Sequence, residues 1–214
     1  MHIPDGLLPA QIVAGGYAVT GLATWYCLRQ INHQPEPLAA IPKAALLTAA
    51  FFVASSLYIP FPPVSVHLIL NGLLGVILGY LALPAILVGL FFQALMIGHG
   101  GLTTLGVNGA MMGIPALFAA AIFQLHQGLA QFLPTRLALG IGAFLGGSMG
   151  LALTVLMFIG LTLTTLPTGL NQTVEAQAVF LLALGYVPLM VLEGTFTALL
   201  VLFLHRVKPQ LLES

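Results

Sequence analysis

VHLILNGLLGVILGYLALPAILVGLFFQALMI, residues 66–97, is the stretch on which the fold turns. It contains no Asp, Glu, Lys or Arg. Pro84 opens a helix well because its fixed φ suits a first turn, so the stretch divides into helices over 66–81 and 84–97. Each is short for a hydrocarbon core of about 30 Å. Counted as separate spans they give the chain seven crossings; counted as one weakly separated hairpin they leave six.

The basic residues decide between these counts. Five further apolar stretches read as helices: 9–31, 43–59, 109–125, 135–163 and 176–205. With seven crossings Arg29, Lys43, Arg136, Arg206 and Lys208 all fall on one side, which the positive-inside rule makes cytoplasmic. Six crossings would leave Arg136, Arg206 and Lys208 opposite Arg29 and Lys43. The expectation is therefore an all-α integral membrane protein of about seven transmembrane helices, a single domain over 1–214. Its N-terminus is extracytoplasmic and its C-terminus cytoplasmic, in the cell membrane of a prokaryote.

Composition agrees. Of 214 residues 59% are hydrophobic and 5% charged, against about 25% charged in an ordinary globular domain. Mean hydropathy is +1.09. Net charge is zero, which gives nucleic-acid binding no electrostatic footing. The lone cysteine, Cys27, excludes an intrachain disulfide framework and a cysteine-rich metal site. Met1 to Leu8 lacks a basic n-region and an apolar h-region, so no cleavable signal peptide is expected. A bulky His2 generally protects the initiator Met from removal.

That N-terminus carries chemistry. In Met1-His2 the α-amine, the His2 amide nitrogen and the His2 imidazole form two fused chelate rings around one ion, once amine and amide deprotonate. Three donors leave a planar site one ligand short. Four planar nitrogens suit Ni(II) or Cu(II) better than the tetrahedral Zn(II). On the expected topology the N-terminus and the loops 60–66, 98–108 and 164–175 share the extracytoplasmic side.

Six histidines are present. His33, His126 and His205 fall at cytoplasmic ends, where solvated or headgroup-level roles are ordinary. His67 follows the rigid Pro62-Pro63 turn at the start of the third helix, on the side of the N-terminal segment. Asn71, one turn later, either holds His67 or bonds between helices, the commoner role. His99, within Gly98-His99-Gly100-Gly101, is either a metal contact or a wet loop residue. Asp5 either attracts cations or bonds neighbouring loop amides. Glu193 lies inside the last helix, where a carboxylate is costly and faces a bundle interior; Gln93 has a similar ambiguity. Small residues at four-residue spacing (Ala10, Ala14 and Ala18; Gly142, Gly146 and Gly150) suit close helix packing.

Met1-His2-Ile3-Pro4-Asp5-Gly6 resembles the N-terminal signature of the cobalt/nickel substrate-binding (S) components of energy-coupling factor transporters, the CbiM/NikM family. The Pro-rich turn before His67-Leu68 agrees with it. So does the run from Gln93-Ala94-Leu95 through Gly100-Gly101-Leu102-Thr103-Thr104-Leu105-Gly106-Val107-Asn108. The resemblance covers nearly the whole chain. It implies a seven-helix bundle with the N-terminal segment, residues 1–8, inserted from the extracytoplasmic side. It implies one transported Ni(II) or Co(II), bound by the Met1 amine, the His2 amide and imidazole nitrogens and the His67 imidazole. Asn71, His99 and Asp5 are supporting or possible contacts, and no resident cofactor is implied. The implied partners are a transmembrane coupling (T) subunit, two cytoplasmic ATPase subunits and often a small accessory membrane subunit. The chain itself has no Walker A sequence.

A stand-alone channel or secondary transporter is the alternative. Its mark would be several ionisable residues along a path through the membrane, and Glu193 alone stands clearly inside a span. An intramembrane metalloenzyme has little to stand on, since H-E-x-x-H and paired acids near His67 are both lacking.

Overall fold

A computed structural model of the chain describes residues 2–61, 64–165 and 172–212. Met1 lies outside them, as does half of the polar loop expected over 164–175, residues 166–171. Eight α-helices are described: α1 (Ala10–Asn32), α2 (Ile41–Ser56), α3 (Asn71–Leu78), α4 (Ala82–Ile97), α5 (Leu105–Gln124), α6 (His126–Leu129), α7 (Thr135–Thr165) and α8 (Gln172–Val207). Two short strands, β1 (Tyr58–Phe61) and β2 (Val64–His67), form an antiparallel hairpin that pairs Tyr58 with His67. Among the described residues four helical stretches are long and apolar enough to cross a membrane: Asn71–Ile97, Leu105–Leu129, Thr135–Thr165 and Ala176–Val207. Shorter Ile41–Ser56 is apolar as well.

The stretch Asn71–Ile97 is not one rod. A straight helix of 27 residues would be about 40 Å long. Yet His67 and His99, just outside its two ends, have ring centroids 5.3 Å apart. The chain reverses at Gly79, whose φ of 55° and ψ of −123° are open to glycine and costly for other residues. A single 3-10 turn, Gly79–Leu81, then leads into α4. Gln34, Tyr80 and Gln124 line one cavity, so this turn lies at the end of the bundle that holds the α1–α2 loop and the end of α5. At that end too Lys43 donates to the Leu211 carbonyl at 2.9 Å.

Three expected boundaries are corrected. The second helix, expected to reach residue 59, stops at Ser56, and the third, expected from residue 66, begins at Asn71. The intervening segment carries Pro60, Pro62 and Pro63 beside β-branched Ile59, Val64 and Val66; proline withholds a helix donor and β-branched residues favour extended chain. His67 therefore ends a strand and does not open a helix. The fifth helix starts four residues before the expected 109, at Leu105. The one-turn helix α6 was not foreseen.

All eight residues of α3 are buried, and its neighbours touch its backbone. A Cβ on Gly75 would overlap the Ala116 carbonyl of α5, and one on Gly72 would lie 2.6 Å from the Gly147 carbonyl of α7. These glycines let α3 sit at the centre of the bundle, as small residues do in membrane packing. Between β2 and α3 the chain is non-helical, and its amides need partners away from water. Glu193 of α8 supplies them. Its two carboxylate oxygens accept from the Ile69 N–H at 2.6 Å and the Leu70 N–H at 2.9 Å. The carboxylate also lies at the positive end of α3, which favours it further. Leu70 has φ 56°, alone in the left-handed region among the described non-glycine residues, a strained geometry that the surroundings must hold. Replacing Glu193 by alanine strands two buried donors, each worth about 1–3 kcal/mol. We expect a loss of about 3 kcal/mol, read as a lowered melting temperature of the detergent-solubilised chain.

Candidate metal centre

The site is assembled from three segments far apart in sequence. Residues 2–8 have no regular structure, and Ile3 is 2% exposed. A strand-like backbone needs partners when buried, and the side chain of Asn108 on α5 provides both. Its Oδ1 accepts the Ile3 N–H at 2.9 Å, and its Nδ2 donates to the Ile3 carbonyl at 3.0 Å. Thr104 Oγ1 donates to that carbonyl at 2.7 Å. Asp5 is the second anchor: its Oδ1 accepts from Thr103 N at 3.0 Å, Thr103 Oγ1 at 2.6 Å and Thr104 N at 3.3 Å. The Thr103 hydroxyl, with these amides, holds the Asp5 carboxyl below its ordinary pKa. A Cβ on Gly101 would overlap the Asp5 carboxylate, so glycine there is what lets the segment seat.

This arrangement brings His2 beside His67 and His99. The ring centroids of His2 and His67 are 5.3 Å apart, and those of His2 and His99 are 4.5 Å apart. One ligand atom from each of the three lies within 4.8 Å of the others. His67 Nδ1 is 3.2 Å from the Leu68 carbonyl. A carbonyl only accepts, so Nδ1 carries the proton and Nε2 keeps its lone pair. Burial is the largest cause of a depressed pKa at all three rings: His2 falls well below its ordinary value, His67 to about 3, and His99 is lowered. Near neutral pH they are uncharged, the form that ligates metal.

Neither ring nitrogen of His2 has a hydrogen-bond partner of ordinary geometry, although both are buried. Gln93, fully buried on α4, is a polar neighbour of this ring and favours its protonated form. Its Nε2 donates to Ser55 Oγ, which in turn donates to the Phe51 carbonyl at 2.7 Å. That chain fixes the amide so that Oε1, without a partner of its own, is the atom left for His2.

Asn71 is not a neighbour of His67 in the sense that its spacing suggested. Its Nδ2 donates to the Met112 carbonyl at 3.1 Å, the Gly150 carbonyl at 3.3 Å and Thr154 Oγ1 at 2.8 Å. It ties α3 to α5 and α7, the interhelical role named above, because helix α3 starts only at Asn71 and its first turn faces the bundle core. Thr104 and Asn108 were quoted as part of a motif but given no role; polar residues at the foot of an otherwise apolar helix were the available signal. Met1 lies outside the described residues.

Asp5 then anchors the segment three residues past His2. Replacing it with asparagine should lower Ni(II) affinity roughly tenfold, the scale of outer-shell losses, with the melting temperature little changed. Because its carboxyl is depressed, the contribution of Asp5 is fully present above the ordinary carboxylate pKa and is lost progressively as pH falls from there through the lowered value. Calorimetric titration of both variants checks this.

Helices around a partly buried, three-imidazole cluster define an integral membrane protein with a candidate metal centre. The model of the family described as the cobalt uptake substrate-specific transmembrane region, CbiM, matches residues 2–211. The chain belongs to that family. It is 34% identical to a Haemophilus influenzae protein named for metal transport, over 99% of this chain and 97% of that one. It is 33% identical to a cobalt transport protein CbiM of Pelobacter propionicus, over 100% and 95% of the two chains. A relative from Archaeoglobus fulgidus named for fused nickel transport, NikMN, is 30% identical over 100% of this chain and 68% of its own length. A solved structure of a transition metal transporter superposes with a TM-score of 0.74 at 27% identity, covering 97% of this chain and 93% of that one. A truncated transition metal transporter does so with a TM-score of 0.73 at 26% identity, over 96% and 99%.

Proposed function

We propose that this chain is the metal-capture subunit of an energy-coupling factor importer, taking Ni(II) or Co(II) from the extracytoplasmic side. The convergence of His2 and His67 through an inserted N-terminal segment carries this reading. In it the Met1 amine, the His2 amide nitrogen and imidazole, and His67 Nε2 ligate one ion. The tautomer fixed at His67 by Leu68 presents the required lone pair. Relatives named for cobalt and nickel transport support the choice of ions, and four planar nitrogens suit Ni(II).

ATP hydrolysis belongs to partners in this reading: a transmembrane coupling subunit, two cytoplasmic ATPases and a small accessory membrane subunit. The chain sits in the cell membrane with its N-terminus outside, as the five basic residues on one side suggest. A proton-coupled transporter finds less support, because the carboxylate of Glu193 is occupied by two backbone amides. The test is calorimetry of the full chain, purified with nothing preceding Met1, against Ni(II) and Co(II). Tight binding of one ion per chain is expected; absence of binding to either would sink the reading.

A further inference from the structure

The geometry points to His99 as a fifth nitrogen donor to the captured ion, one that takes its coordination beyond the planar four. This rests on the capture reading above and deepens it. The terminus contributes an amine, an amide nitrogen and one imidazole, and His67 completes a plane. A planar set is then full, and yet a third imidazole is delivered to the same place.

The third ring is built in. The His99 ring centroid is 4.5 Å from that of His2 and 5.3 Å from that of His67, and the ligand atoms of all three fall within 4.8 Å of one another. With metal–nitrogen bonds of about 2.0–2.1 Å, nitrogens at right angles about an ion are about 2.9 Å apart. The three imidazoles, mutually at right angles in this arrangement, draw together by up to about 2 Å around one ion.

The backbone around His99 is held as well. Its N–H donates to the Gln93 carbonyl at 3.1 Å, the same carbonyl that the Gly98 N–H reaches in the six-to-one pattern that closes the end of α4. Gly98 and Gly100 flank it at φ 63° and φ 80°, conformations that glycine adopts without strain. A Cβ on Gly100 would lie 3.5 Å from the His2 Cβ, so the same turn packs against the N-terminal segment. His99 is half-buried, not a residue on a free loop. An off-plane nitrogen weakens the preference for ions that insist on a square plane and favours those that accept five ligands, so geometry here selects among metals of similar affinity.

X-ray absorption at the nickel edge, on the Ni(II)-loaded full chain in detergent with nothing preceding Met1, tests the assignment. The wild-type chain should show five nitrogen scatterers, no square-planar edge feature and paramagnetic Ni(II). His99→Ala should bind Ni(II) with no more than about a tenfold loss, display the square-planar feature and become diamagnetic. Its preference for Co(II) over Ni(II) in competition should fall several-fold. His99→Gln is the second variant should alanine disturb the turn. A square-planar signature in the wild-type chain, or one unchanged by either substitution, overturns the fifth donor and leaves the capture reading standing. A wild-type chain that takes up no Ni(II) or Co(II) overturns both.

Discussion

His67→Ala should lower the Ni(II) affinity of the full chain by about three orders of magnitude, or roughly 4 kcal/mol. The two neighbouring imidazoles are already placed. His2 is committed to the terminal chelate. His99 comes from the far side of the α3–α4 reversal, on a turn pinned by its own hydrogen bond to Gln93. The lost donor also carries preorganisation: Leu68 holds the tautomer, Glu193 holds the two residues after Leu68, and β1 pairs with His67 across the hairpin. None of these depends on the imidazole for folding, so the variant should keep its melting temperature to within a few degrees in the absence of metal. Calorimetry with Ni(II), together with a thermal scan, separates the two effects. Wild-type affinity in a folded His67→Ala chain would remove His67 from the site.

Adding a single residue ahead of Met1 should cost at least about two orders of magnitude in the same titration, nearly 3 kcal/mol. The extension turns the Met1 amine into an amide, removing a strong neutral donor and breaking one of the two fused chelate rings. Residues 3–5 should stay seated regardless, because their anchors are Asn108, Thr104 and Thr103 and do not involve the amine. The extended chain should therefore fold normally and bind poorly. A control extension at the C-terminus, far from the cluster, should leave affinity unchanged. Unaltered binding by the N-terminally extended chain would show that the amine is not a donor.

Much of the architecture was open to reading from hydropathy, since each apolar stretch reports its own need to leave water. The helices over 9–31, 135–163 and 176–205 were placed to within a few residues of α1, α7 and α8. The β1–β2 hairpin was missed because two short strands in an apolar context carry no distinctive period. The late start of α3 escaped notice for a related reason. What stops the helix there is the capture of the Ile69 and Leu70 amides by a carboxylate more than 120 residues away, and no local pattern announces that.

The residues of the site divide in the same way. The sequence alone determined that this is a membrane protein, and it led to the expectation that Met1-His2 offers a chelate with His67 and His99 on the side that meets it. These follow from composition, from the order of donors along the backbone and from the distribution of charge, all of which are local or additive. Only the tertiary structure decided that residues 2, 67 and 99 converge, that Asn108 and Asp5 seat the terminus, that Asn71 turns away to α5 and α7, and that Glu193 caps the strained turn behind His67. Each of these depends on where helices cross. Crossing is set by side-chain volume and by the glycines at Gly72, Gly75 and Gly101 that let backbone approach backbone or carboxylate, which is a property of pairs of distant residues and not of any stretch of chain.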